Sequence, residues 1–131
     1  MKKILKKLFR RPAFSPLQLR QATQIHDAVD AWVKEKGYIR HLQTVKDMAE
    51  DIGIPPGQLT LFVQIHSRMS VLTWRKTLRV REAQRLVLAM PDLPVSVIGE
   101  MVGIEDKSNF KRQFTQVAGM SPRVWRERHL R

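Results

Sequence analysis

Apolar residues recur along this chain with the 3.6-residue period of helices, and no segment alternates as a strand would. Leu17 to Lys36 reads as a first helix, with Ile25, Ala28, Val29, Trp32 and Val33 on its apolar side and Gly37 as its stop. Val45, Met48, Ala49 and Ile52 then fall at i, i+3, i+4 and i+7. Thr44 is placed to cap that helix, with Asp47 at the capping-box position, and Gly53 suits a left-handed exit. Pro55 and Pro56 fit the first turn of the next helix, where a missing N–H costs nothing. There Leu59, Val63 and His66 share a face, with Phe62 beside it. Ser70 caps a long helix that runs to Ala89, just before Pro91. Trp74, Leu78 and Ala83 face inward along it, and Arg75, Lys76, Arg79, Arg81 and Arg85 stand as polar decoration. Val95, Ile98, Gly99 and Val102 form another short apolar face, with Gly103 as the turn. Asp106 caps a helix striped by Phe110, Phe114 and Val117. Gly119 stops it, and Ser121-Pro122 opens a final helix around Trp125.

The elements repeat. Met69-Ser70 and Trp74-Arg75 return as Met120-Ser121 and Trp125-Arg126, an offset of 51 residues. Leu59 and Val63 match Phe110 and Phe114 at the same offset. Glu50, Gly53 and Ile54 match Glu100, Gly103 and Ile104 at 50, so one residue is inserted after Gly103. One helix–turn–helix unit therefore occurs twice, at roughly 44–75 and 94–126. The predicted fold is all-α: two helix-turn-helix subdomains joined by a long linker helix, with an extra N-terminal helix. The expected division is a basic arm over 1–16, a helix over 17–37 and the double unit over 38–131. Within the double unit, 44–68, 70–89 and 94–126 are the first unit, the linker and the second unit.

Charge narrows the partners. Lys and Arg number 24 against 12 Asp and Glu, a net charge of +12. Residues 1–20 hold seven bases and no acid, whereas residues 21–54 hold four bases and six acids. Residues 68–90 hold six bases and one acid, and residues 105–131 hold seven and three. Such a balance favours polyanions, either nucleic acid or an anionic membrane surface. No run approaches the roughly 18 apolar residues of a membrane span. Met1 to Arg11 interleaves bases with Ile4, Leu5, Leu8 and Phe9 but has no apolar signal-peptide core, so it reads as a disordered basic arm, a surface-lying helix or the stub left below an upstream segment. A basic amphipathic arm also fits an anionic membrane, which keeps open a second class, a membrane-associated interaction protein.

Catalysis has little support. The absence of Cys excludes disulfides, thiolate metal sites and thiol nucleophiles. His26, His41, His66 and His129 share no metal-ligand spacing, and there is no Gly-rich phosphate loop. No enzyme activity, cofactor or metal is expected. Glu105 and Asp106 read as cap and dipole complement rather than as a catalytic pair.

The run from Val97-Ile98-Gly99-Glu100 through Gly103-Ile104, Ser108-Asn109-Phe110-Lys111-Arg112-Gln113-Phe114 and Gly119-Met120-Ser121-Pro122 to Trp125-Arg126 resembles the AraC/XylS-type regulators. Leu78-Arg79-Val80-Arg81-Glu82-Ala83-Gln84 is similar to their linker-helix signature. The resemblance covers about residues 38–128. It implies a double-stranded DNA partner, transcription regulation in the cytoplasm, and activation through contact with RNA polymerase. It also leaves room for a cytoplasmic DNA-binding end of a larger membrane-associated or sensor protein. The sequence departs from the pattern at Gly99 for Ala, Ile104 for Phe, Val63 for Phe, and Arg68 for Gly.

In a helix-turn-helix the second helix of each unit enters the major groove. With Phe110 inward, a turn of about 100° per residue sends Ser108, Arg112 and Thr115 outward and Lys111 to the side, near Lys107. Arg pairs with guanine in bidentate fashion, and Ser and Thr bond several bases. The bland alternative is a merely solvated basic face. With Leu59 inward, Gly57, Leu61 and Gln64 point outward and Thr60 to the side. Gln suits adenine and Leu a thymine methyl, although an outward Leu also fits packing on a partner or a neighbouring loop. Arg75, Arg79 and Arg81 are read as phosphate contacts or local salt bridges. Trp74 and Trp125, at equivalent places, are read as core anchors.

Overall fold

The computed structural model describes residues 15–130. Residues 1–14, and with them nearly all of the expected basic arm and its membrane reading, lie outside the described residues. Seven α-helices follow in order: α1 (Pro16–Lys34), α2 (Val45–Ile52), α3 (Pro56–Ser67), α4 (Val71–Ala89), α5 (Val95–Met101), α6 (Lys107–Ala118) and α7 (Pro122–His129), with a 3-10 turn at Gly37–Ile39 after α1. No strand occurs among the described residues.

Local chemistry sets the boundaries. Thr44 and Asp47 form a reciprocal capping box at the start of α2, and Gly53 closes it in the left-handed region at φ 92°. Ser70, Asp106 and Ser121 each accept a backbone N–H at the start of α4, α6 and α7, which satisfies donors a helix start would leave orphaned. Gly119 ends α6 at φ 81°.

Two cores lie on the two ends of α4. Met48, Ala49, Leu59, Val63 and Val71 close the first, and α1 and the 3-10 turn add Val29, Trp32 and Tyr38 to it. Val80, Ala83, Leu86 and Val87 of α4 meet Ile98, Val102, Ile104, Phe110, Phe114 and Trp125 in the second. Trp74 stacks on Trp32 with ring centres 5.8 Å apart, and Trp125 meets Phe114 edge-on at 6.0 Å, so both tryptophans anchor their cores. The linker helix is buried by one unit along its first half and by the other along its second. Burying those stripes contributes roughly 1.5–3 kcal/mol per large side chain.

Three expectations are corrected. The first helix ends at Lys34, and Lys36, not Gly37, takes the left-handed position, at φ 59°. Gly37 serves packing instead: a Cβ there would lie 2.2 Å from the Trp32 indole nitrogen. His66 does not share the buried face of Leu59 and Val63 but is exposed at the edge of the core. Phe62 takes the place beside Val63, and His66 stacks on Phe62 with ring centres 4.1 Å apart. Arg79 is not surface decoration but is 8% exposed. Its Nε donates to the Tyr38 carbonyl at 2.5 Å and its Nη2 to the Arg40 carbonyl at 2.9 Å.

Arg79 belongs to a strap. Arg75 donates to the Leu42 carbonyl, and Lys36 pairs at 2.9 Å with Glu82, a buried carboxylate also held by Arg85. His41 lies 3.4 Å from Glu105 of the second unit. Residues 36–42 are thereby tied along the linker helix and reach the second unit. Arg75 and Arg79 bond carbonyls, and neither has a carboxylate partner among the described residues.

Candidate nucleic-acid interface

α6 is positioned by its stripe. Phe110 and Phe114 are buried, and Asp106 fixes the first turn. The opposite face carries Ser108, Arg112 and Thr115, with Lys107 and Lys111 along its flank, all exposed. Asn109 organises that face: its side-chain oxygen accepts from Arg112 Nη2 and, at 3.1 Å, from Gln113 Nε2. The remaining Arg112 donors stay available for a two-pronged contact. The Thr115 hydroxyl donates to the Lys111 carbonyl at 2.7 Å, which leaves its oxygen to accept from a donor outside the helix.

α3 is held by Leu59 and Val63 in the first core. Its outer face has a different chemistry. Gly57, Thr60, Leu61 and Gln64 are exposed, and no charged residue lies from Pro56 to Ile65. Leu61 is 54% exposed and Ile65 is 65% exposed. Ile65 was not among the sequence candidates, although it stands one turn from Leu61 and the same helical wheel would have found it. A Cβ on Gly57 would meet nothing within 4 Å, so the fold itself makes no demand for glycine there.

Between α4 and α6 lies a cleft of about 430 Å³, lined by Leu72, Thr73, Arg75, Lys76, Arg79, Arg112, Gln113 and Gln116. Lys76 Nζ donates to Gln116 Oε1 across it at 3.1 Å. Burial first, and then the neighbouring charge of Arg75, pulls Arg79 down to about 10, so it stays cationic at neutral pH. On the first unit the electrostatics are acidic. Burial pushes the Asp51 carboxyl up, but the Trp32 indole N–H at 2.7 Å and the Arg40 guanidinium outweigh it and hold the pKa below the usual range. Among the described residues no helix is long and apolar enough to cross a membrane, and no group of His, Asp and Glu could hold a metal ion.

Two capped helix-turn-helix units sharing one linker helix define a double helix-turn-helix domain. Comparison with known proteins agrees. The model of the family described as "Helix-turn-helix domain" matches residues 48–128. The arabinose operon regulatory protein of Salmonella typhimurium is 29% identical over 82 residues, which cover 63% of this chain and 29% of that protein. The uncharacterized HTH-type transcriptional regulator YobQ of Bacillus subtilis is 29% identical over 83 residues, covering 63% of this chain and 34% of that one. The chain thus matches about a third or less of each relative's length. The C-terminal domain of AraT, a response regulator from Geobacillus stearothermophilus, superposes with a TM-score of 0.69 at 22% identity, over 82% of this chain and 87% of that one, a likeness of fold. The chain belongs to the helix-turn-helix family of AraC/XylS-type regulators.

Proposed function

We propose that this chain reads DNA sequence for a transcription activator, with α3 and α6 entering two successive major grooves on one face of the duplex. The observation that carries the reading is how the two helices are presented. Each buries one apolar stripe and leaves its opposite face to solvent, and α4 contributes to the core that holds each of them. Arg112 is the guanine reader, with Ser108 and Thr115 on neighbouring base edges and Lys107 and Lys111 on phosphates. Gln64 reads adenine and Leu61, with Ile65 beside it, covers a thymine methyl. Gly57 and Thr60 let the duplex approach the start of α3 closely. Arg75, held through Nη1 to the Leu42 carbonyl, and Arg79, held through Nε and Nη2 to the Tyr38 and Arg40 carbonyls, add positive field beside the phosphates. The operon-regulator name of the arabinose relative supports a transcriptional role. The family resemblance supports contact with RNA polymerase in the cytoplasm.

Selection from a random duplex pool tests this. The expected product is a site with two conserved patches about 10–10.5 base pairs apart, centre to centre. A pool that stays random through selection overturns sequence reading.

A further inference from the structure

The cleft between α4 and α6 combines three features. It gathers four cationic side chains, Arg75, Lys76, Arg79 and Arg112, and no carboxylate lines it. None of the four takes part in an ion pair among the described residues, whereas Lys34, Lys36, Arg40 and Arg85 all do. And Arg79, more than nine-tenths buried, is part of the cleft lining. Burying a guanidinium without a counter-charge is costly, and the carbonyl partners at Nε and Nη2 take up N–H groups without cancelling the charge. Four cations brought together also repel one another. An arrangement of this kind is relieved by an anion.

We infer that the cleft is a phosphate site, and that its occupant is a phosphodiester of the DNA strand passing between the two recognition helices. The side-chain amides of Gln113 and Gln116 supply neutral donors on one wall and Lys76 a mobile charge on the other. Lys76 now rests on Gln116 Oε1 at 3.1 Å and turns to the phosphate when one arrives. At about 430 Å³, room for on the order of a dozen waters, the cleft admits a phosphate with its flanking sugars. The proposal rests on the DNA-binding reading above and adds where the backbone is gripped. The same chemistry would accept a free phosphorylated small molecule, and the test separates the two sources.

The test uses the full chain, inorganic phosphate, a random-sequence duplex, and two variants that each remove one positive charge: Lys76→Ala in the cleft and Lys34→Ala on α1. Phosphate is followed by NMR at the Gln113 and Gln116 side-chain amides, and duplex affinity by anisotropy over a salt series. The site predicts that phosphate moves both amides in the parent and in Lys34→Ala but not in Lys76→Ala, and that duplex displaces it. It also predicts that Lys76→Ala lowers the slope of log K against log salt by about 1, with little change in Lys34→Ala. If phosphate moves the amides but duplex does not displace it and the slope is unaltered, the occupant is a free phosphorylated ligand and the DNA assignment is overturned. If phosphate moves neither amide, or moves them equally in Lys76→Ala, the site is overturned. A parent chain that binds no duplex sinks the DNA reading alone, and the phosphate titration still decides the cleft.

Discussion

Gly103 and Arg79 touch at the junction of the two units. A Cβ on Gly103 would lie 3.2 Å from the Arg79 guanidinium carbon and 2.5 Å from the Ile39 carbonyl oxygen, and Gly103 itself holds φ +91°. The turn of the second unit thus closes directly onto the strap that ties residues 36–42 to the linker helix. The glycine is needed twice, for its backbone conformation and for the space.

Gly103→Ala should therefore cost more than its strained backbone alone. Gly53 and Gly119 provide the control, since both hold positive φ and neither has an atom within 4 Å of a Cβ position. Alanine at Gly53 or Gly119 should cost roughly 1–2 kcal/mol, the usual penalty for that conformation. Gly103→Ala should cost clearly more, because the Ile39 backbone must move as well. Urea denaturation of the three variants measures the difference, and equal costs would mean the strap is loose at this point.

Glu82 gives the strap a pH signature. Burial pushes its carboxyl up, but the bonds from Arg85 and Lys36 outweigh that and hold the folded pKa below the ordinary 4.5. A carboxylate lowered on folding stabilises above its unfolded pKa, and that stability is lost as pH falls through the folded value. Glu82→Gln should cost about 1–2 kcal/mol at neutral pH, since Lys36 and Arg85 are half exposed and regain water when the charge is removed. The gap between parent and variant should hold down to about pH 4.5 and close below it. Denaturant melts across acidic pH check this, and a gap independent of pH would contradict the charge-based account.

Gly57 should separate fold from function. Alanine meets no atom there and is the better helix former, so Gly57→Ala should stabilise the fold by roughly 0.5–1 kcal/mol. If the start of α3 lies against DNA, the same change should weaken duplex binding. Thermal melting and an affinity titration on one preparation give both signs. Stabilisation with unaltered affinity would move the DNA away from the start of α3.

What could be read along the chain was what lies within one helix turn of itself. Thr44 with Asp47, Ser70, Asp106 and Gly119 act on backbone groups three or four positions away, so their spacing carries the information. The stripes of Leu59 with Val63 and of Phe110 with Phe114 were equally legible, because burial selects one face. The strap was not. Arg79 bonds the Tyr38 carbonyl 41 positions upstream, and a backbone acceptor leaves no mark on residue type. Gly37 was misread for a related reason: its demand comes from the Trp32 ring folding back over it. The cleft escaped because Gln113 and Gln116 matter only once α4 lies beside α6.

Arg112→Ala should cost about 1–3 kcal/mol in site binding and relax preference at one base position, whereas loss of a phosphate contact would weaken all sequences alike. Asn109→Ala should produce a milder form of the same loss by releasing the Arg112 side chain it holds. Gln64→Ala should cost less and alter preference in the neighbouring groove. Affinities for a panel of single-base variants distinguish these outcomes. An Arg112→Ala protein that stays folded and binds every site as the parent does would displace the recognition surface from α6.

The central claim is that one chain holds two recognition helices in a frame that spans two grooves. Hydroxyl-radical footprinting on the selected site tests it most directly. The account predicts two protected patches on one face of the duplex, about one helical turn or 34 Å apart, under conditions where the chain is monomeric. A single patch one groove wide would contradict it.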